Sequence, residues 1–213
     1  MGTIKQGILG GFSGKVGTVI GGNWKGINYM RSKAASISNP KTEAQLDQRA
    51  RFSAALKFLQ PLTLFLRVSF KNHAVKMTAF NSAMSYNLNN ALIGAYPDYF
   101  IDYASALVSR GSLPGALNPQ VAITTPGEIE FSWTDNSHGA QAKQNDKVLL
   151  VVLNPVKQQA ETIVAGNTRS SGSQVITIPE TFTGDEVQCY IAFQDEKQTV
   201  LSNSVYVGAI VVA

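Results

Sequence analysis

Glu128-Ile129-Glu130-Phe131-Ser132-Trp133-Thr134 is the stretch on which the fold turns. Ile129, Phe131 and Trp133 alternate with Glu128, Glu130 and Ser132, the period of a strand with one buried face. Downstream, Lys147–Leu153 is a continuous apolar run, which predicts a central strand. Val175–Ile178, Val187–Phe193 and Ser204–Val212 read as further strands, separated by turns such as Thr183-Gly184-Asp185. Six or seven short strands over about 95 residues, with no long helical pattern, predict an antiparallel β-sandwich. Phe131 and Trp133 face its predicted core.

Upstream the pattern differs. Nine of the 18 glycines lie before residue 27, at positions 2, 7, 10, 11, 14, 17, 21, 22 and 26. Between them stand Ile4, Phe12, Val16, Val19, Ile20, Trp24, Ile27 and Tyr29, so a Gly-rich meander with strands near 3–12, 15–21 and 23–31 is expected. Glycine weakens a strand unless another backbone approaches closely. Such a sheet therefore leans on something else. Residues 35–41 form a linker, and Thr42-x-x-Gln45 has the form of a capping box. Phe52, Ala55, Leu56 and Leu59 then mark one helical face, and Pro61 stops that helix. Further helices are expected over 61–71 and 78–92, then extended chain over 99–110. The Gly- and Pro-rich segment 111–119 is the expected domain boundary. The fold class read from the chain is α+β: a basic α+β module over 1–115, then a sandwich over 116–213.

Charge supports that division. The net charge of +4 hides 13 Lys/Arg against 4 Asp/Glu in residues 1–115, and 5 against 10 in 116–213. Oppositely charged halves fit head-to-tail attraction between copies, or a polyanion held by the basic half. Trp24, Lys25, Arg31, Arg49, Arg51 and Phe52 are the candidate interface residues, combining cations with large aromatics. Arg49 shares the predicted face of Phe52 and Leu56, which casts it as a partly buried anchor.

The chain offers little for catalysis. It has one Cys and two His, too few for a disulfide framework or a three-ligand zinc site built on them. Gly10-Gly11-Phe12-Ser13-Gly14-Lys15 departs from a phosphate loop, with Leu9 where Gly is needed and Val16 where Ser or Thr is needed. Cys189 alternates with Val187 and Ile191 and reads as a small buried hydrophobe. Asp135 and His138 share a polar loop and read as solvated. No catalytic residue, cofactor, metal or small-molecule substrate is expected. No apolar run approaches the roughly 18 residues of a membrane span. Lys5 is followed by Gly-rich sequence and no apolar signal core, so cytoplasmic synthesis is expected, with a virion or extracellular assembly as a possible destination.

Two resemblances add to this reading. Phe131-Ser132-Trp133-Thr134-Asp135-Asn136-Ser137, Tyr190-Ile191-Ala192-Phe193 and Ser202-Asn203-Ser204-Val205 resemble the second strand, the sixth strand and the approach to the last strand of fibronectin type III-like sandwiches. That likeness covers about residues 120–213 and implies a fold, with Trp133 and Tyr190 as core anchors. Gly14-Lys15-Val16-Gly17, Trp24-Lys25-Gly26, Arg31-Ser32, Asn39-Pro40-x-Thr42-x-x-Gln45, Arg49-x-x-Phe52 and Ser109-Arg110-Gly111 resemble an uncharacterised family of short Bacteroidetes proteins. The Asn-Pro-x-Thr-x-x-Gln…Arg-x-x-Phe element is also similar to one in small proteins of phage and prophage gene clusters. It implies a virion-like or assembly role and carries over no catalytic residue. The expected function is thus that of a structural, self-associating homo-oligomer, with nucleic-acid binding through the basic half as the alternative.

Overall fold

The computed structural model describes residues 1–213 except Met1, Lys5, Gln6, Ile8, Leu9, Lys25, Ile37, Ser38, Ala140 and Ala213. The chain forms two compact units, Met1–Thr42 and Glu43–Ala213.

The first unit is a four-stranded antiparallel meander in sequence order: β1 (Thr3–Ile4), β2 (Phe12–Val16), β3 (Val19–Trp24) and β4 (Ile27–Ser32). Val16 pairs with Val19, and Trp24 with Ile27, so the β2–β3 and β3–β4 hairpins each turn in two residues. The observed strands are shorter than those read from the sequence, and β4 forms one edge of the sheet. Among the described residues of this unit only Gly21 is buried.

The second unit is layered. α1 (Glu43–Leu59) starts directly after Thr42, and a short 3-10 turn holding Pro61 separates it from α2 (Thr63–Ser69). Proline lacks the amide hydrogen that would continue the helix. Then come α3 (Ala79–Asn90), a hairpin of β5 (Leu92–Ala95) and β6 (Asp98–Ile101), and the sandwich strands. These are β7 (Leu117–Thr125), β8 (Glu128–Thr134), β9 (Lys147–Asn154), β10 (Gln159–Ile163), β11 (Ser173–Thr177), β12 (Glu186–Gln194) and β13 (Val205–Val211). They form a three-stranded sheet, β11-β8-β7, and a four-stranded sheet, β10-β9-β12-β13, with every pairing antiparallel. The fold is α+β, with a sandwich at its C-terminal end.

Side-chain parity builds two cores. Val148, Leu150 and Val152 of β9, with Val187, Cys189, Ile191 and Phe193 of β12, face Ile129, Phe131 and Trp133 of β8 between the sheets. The alternate residues Leu149, Val151 and Leu153, with Tyr190 and Ala192, meet Phe58, Leu59, Leu62, Phe65 and Leu66 of the helical layer. Both central strands are thus apolar on both faces, which is why 148–153 shows no alternation.

Three expectations need correction. Tyr190 is fully buried, but it lies on the helical side of its sheet and not inside the sandwich. Its hydroxyl donates to the Tyr103 carbonyl oxygen at 2.9 Å. The segment 99–110 is strand only to Ile101. Asp102 then accepts from the Ala104 amide at 3.1 Å and from the Ser105 hydroxyl, and this side-chain turn replaces the ladder. Finally, the chain divides after Thr42, not near residue 115. The helices that follow Thr42 bury their apolar face on the four-stranded sheet, so they belong to the same unit as the sandwich.

The Gly- and Pro-rich segment 111–119 is fastened, not loose. The Leu113 amide donates to the Leu201 carbonyl at 2.8 Å, and the Gly111 amide to Asn203 Oδ1 at 3.1 Å. A Cβ on Gly111 would stand 1.9 Å from the Leu201 carbonyl oxygen. Glycine here marks a close backbone approach. The neighbouring Ser109 and Arg110 complete the joint. Ser109 Oγ donates to the Ser202 carbonyl at 2.8 Å, and the Arg110 amide donates to the Ser69 carbonyl at 3.2 Å.

Candidate functional site

In the N-terminal unit, strand register sorts the side chains onto two faces. Val19 opposite Ser32, Gly21 opposite Met30 and Asn23 opposite Asn28 define one face, to which β2 adds Gly14 and Val16 and β1–β2 add the Ile4–Phe12 pair. This face carries no charge. Ile4, Val16, Val19 and Met30 are all exposed on it, Val16 by 55% and Met30 by 71%.

The other face carries Lys15, Ile20, Gly22, Trp24, Ile27, Tyr29 and Arg31. Lys15, Ile20 and Arg31 form one row across three strands. The next row places Tyr29 opposite Gly22, where a Cβ would come within 2.9 Å of the Tyr29 ring. The ring therefore lies over the glycine backbone and keeps its outer side in solvent, being 46% exposed. Trp24 is 63% exposed on the same face. Lys25, the remaining candidate of this stretch, falls outside the described residues.

Arg49, Arg51 and Phe52 lie on α1, in the second unit. The buried stripe of α1 runs through Ala55, Phe58 and Leu59 and continues to Leu62, one step around the helix from the predicted face. Arg49 and Phe52 are therefore exposed, so Arg49 is not the partly buried residue expected. Arg51 pairs with Asp47 at 3.0 Å, donates through Nε to the Tyr99 hydroxyl at 3.2 Å, and lies 5.1 Å from the Tyr99 ring centre. The Tyr99 hydroxyl in turn donates to Asp47 Oδ1. The Tyr99 hydrogen bond, then the Asp47 charge, holds the guanidinium above its ordinary pKa. Arg51 and Phe52 border an open groove of about 460 Å3 with Gln48, Met84 and Leu88.

Phe131 and Trp133 are buried between the sheets. The Trp133 indole donates to the Arg169 carbonyl at 2.7 Å and meets the Phe193 ring edge-on at 5.5 Å. Arg169, which sequence reasoning missed, is completely buried. Its guanidinium reaches Asp146 Oδ2 at 3.1 Å, Asn136 Oδ1 at 2.6 Å, and the Gly115 and Pro114 carbonyls at 3.1 and 2.9 Å. Burial lowers its pKa and the Asp146 charge opposes that shift. Every contact is internal, so Arg169 fastens the 111–119 segment to the sandwich. No local pattern around Thr168-Arg169-Ser170 signals it.

Of the groups weighed for chemistry, Lys15 lies inside a strand, not before a helix as a phosphate loop requires. Asp135 accepts from the Ser137 amide at 2.9 Å, and hydrogen bonds from Ser137 keep its carboxyl below the usual value. Burial raises the Cys189 thiol to about 12. Among the described residues no three His, Cys, Asp or Glu converge as metal ligands, and no helix is long and apolar enough to cross a membrane.

A comparison with curated proteins gives no match. Among solved structures, the fn3 domain of the human collagen alpha-1(XX) chain is similar at 13% identity and a TM-score of 0.37, over 49% of this chain and 91% of that one. The model of a family of unknown function, DUF6266, matches residues 11–208, and the chain belongs to that family.

Proposed function

We propose that this protein is a non-enzymatic structural component that assembles with further copies of itself through its N-terminal sheet. One observation carries the reading. The four-stranded meander exposes Ile4, Val16, Val19 and Met30 on an uncharged face, while its described residues bury only Gly21. A small sheet needs three or more strands and an apolar face packed on something to be stable. This one has the strands and leaves that face in solvent.

Charge favours a second copy as the occupant. Residues 1–42 contain six Lys/Arg and no Asp/Glu, whereas 43–213 contain twelve and fourteen. The outer face of the three-stranded sheet carries Glu128 and Glu130 on β8, flanked by Gln120, Ala122, Val175 and Thr177 and no cation. The cationic unit of one copy is drawn to this acidic sheet of the next, and apolar burial holds the contact. A heterologous contact of this kind closes into a ring or runs on as a filament. The resemblance of the Asn39-Pro40 to Phe52 element to phage-cluster proteins supports a virion-like setting.

Light scattering and negative-stain microscopy of the full chain test this. Oligomers are expected at 0.05 M salt, with dissociation on Val16→Ser plus Met30→Ser. Monomers at every concentration and salt level would reject it.

A further inference from the structure

The opposite face of the same sheet has a different chemistry. We infer that the Lys15, Trp24, Tyr29, Arg31 face is a binding platform for single-stranded nucleic acid.

Two requirements of such a platform are met together. One is an array of cations that tracks a phosphate backbone, and the other is exposed aromatic rings on which bases stack. Lys15 and Arg31 flank Ile20 in a row across three strands, so two cations project from one face. No carboxylate occurs anywhere in residues 1–42 to neutralise them. Tyr29 and Trp24 occupy the neighbouring rows. The Tyr29–Gly22 and Trp24–Ile27 pairings make the two aromatics diagonal neighbours, roughly 7 Å apart at their backbones. Glycine at position 22 lets the Tyr29 ring lie along the sheet and present one side outward. Two outward rings on adjacent rows suit two successive unstacked bases, with the Lys15–Arg31 row beside them for the phosphates.

A duplex fits less well. Its bases are already stacked on one another, so Trp24 and Tyr29 have no free base surface to cover. An acidic polypeptide satisfies the cations and leaves the rings unused. The favoured ligand is therefore a flexible strand with free bases.

The chain contains two Trp, and Trp133 is buried in the sandwich. Emission changes on ligand addition therefore report Trp24. Titrating full-length protein with a 20-residue oligothymidylate at 50 mM salt is expected to quench that emission and to give saturable binding. The log–log salt slope should be about −1.4, as for the two phosphates that Lys15 and Arg31 neutralise. Followed by the anisotropy of a labelled oligothymidylate, which needs no indole reporter, Trp24→Ala and Tyr29→Ala should each weaken binding about fivefold or more, and Leu64→Ala on the helical layer should leave it unchanged. A Trp24→Phe variant, which keeps a ring, should retain most of the affinity. The inference is overturned by absence of binding at 50 mM salt or by affinity that survives both alanine variants. Equal affinity for a 20-base-pair duplex, or for polyglutamate, overturns it as well.

Discussion

The guanidinium of Arg169 lies 3.8 Å from the centre of the Phe193 ring, stacked over it inside the protein. Asp146 on one side and the Pro114, Gly115 and Asn136 oxygens on the other complete its surroundings. A buried cation is tolerated only when its donors are matched in this way.

Removing the counter-charge should therefore be severe. Asp146→Ala leaves a desolvated guanidinium without its carboxylate and is expected to cost about 3–5 kcal/mol in urea unfolding. Arg169→Met together with Asp146→Leu should recover much of that loss, since an apolar pair carries no desolvation penalty. Equal destabilisation by the double variant would refute this account.

Gly111→Ala tests whether residues 111–119 are fastened. The new methyl would meet the Leu201 carbonyl oxygen, which is backbone and cannot rotate away. A loss of about 1–3 kcal/mol is expected. A flexible linker would accept the alanine with no measurable change.

Cys189 and Tyr190 set the alkaline limit. Burial raises the Cys189 thiol to about 12 and, as the largest cause, pushes the Tyr190 hydroxyl well above its ordinary value. Both are acids held neutral by the fold, so the stability they contribute is complete below their unfolded pKa values, about 8.5 and 10. It is lost as the pH rises, from about 8.5 for Cys189 and from about 10 for Tyr190. Urea unfolding followed from pH 7 to 11 should show stability falling above pH 8.5, and Cys189→Val should remove the first part of the fall. At pH 8 the native thiol should react with a disulfide reagent only on the timescale of opening.

Both hydrophobic cores are built from residues beyond position 54. A chain lacking residues 1–42 is expected to unfold cooperatively, with a melting temperature within a few degrees of the full protein. Loss of the near-ultraviolet aromatic signal in that shortened chain would contradict the independence of the second unit.

The sandwich was legible because Ile129, Phe131 and Trp133 are buried and their neighbours on β8 are more open, so burial left a period-two trace. The helical cover was not. Leu149 and Leu150 are equally apolar, and nothing in their order says that one meets a helix and the other a sheet. The same ambiguity misplaced Tyr190. The hairpin of Leu92–Ala95 and Asp98–Ile101 leaves no pattern to read, because its strands are four residues long and too short to show a period. Gly111 misled in an instructive way. Glycine marks both loose chain and crowded chain, and only the position of the Leu201 carbonyl distinguishes them. For the candidate surface, the sequence supplied the residue types, while the split of Met30 from Tyr29 onto opposite faces needed strand register.

The helical cover also decides where this protein can safely be cut. Severing the chain at residue 115 would yield an apparently tidy immunoglobulin-sized fragment whose Leu149, Val151, Leu153 and Tyr190 side chains had lost their roof. Such a fragment would clump in solution, so the smallest well-behaved piece containing the sandwich begins at the first helix.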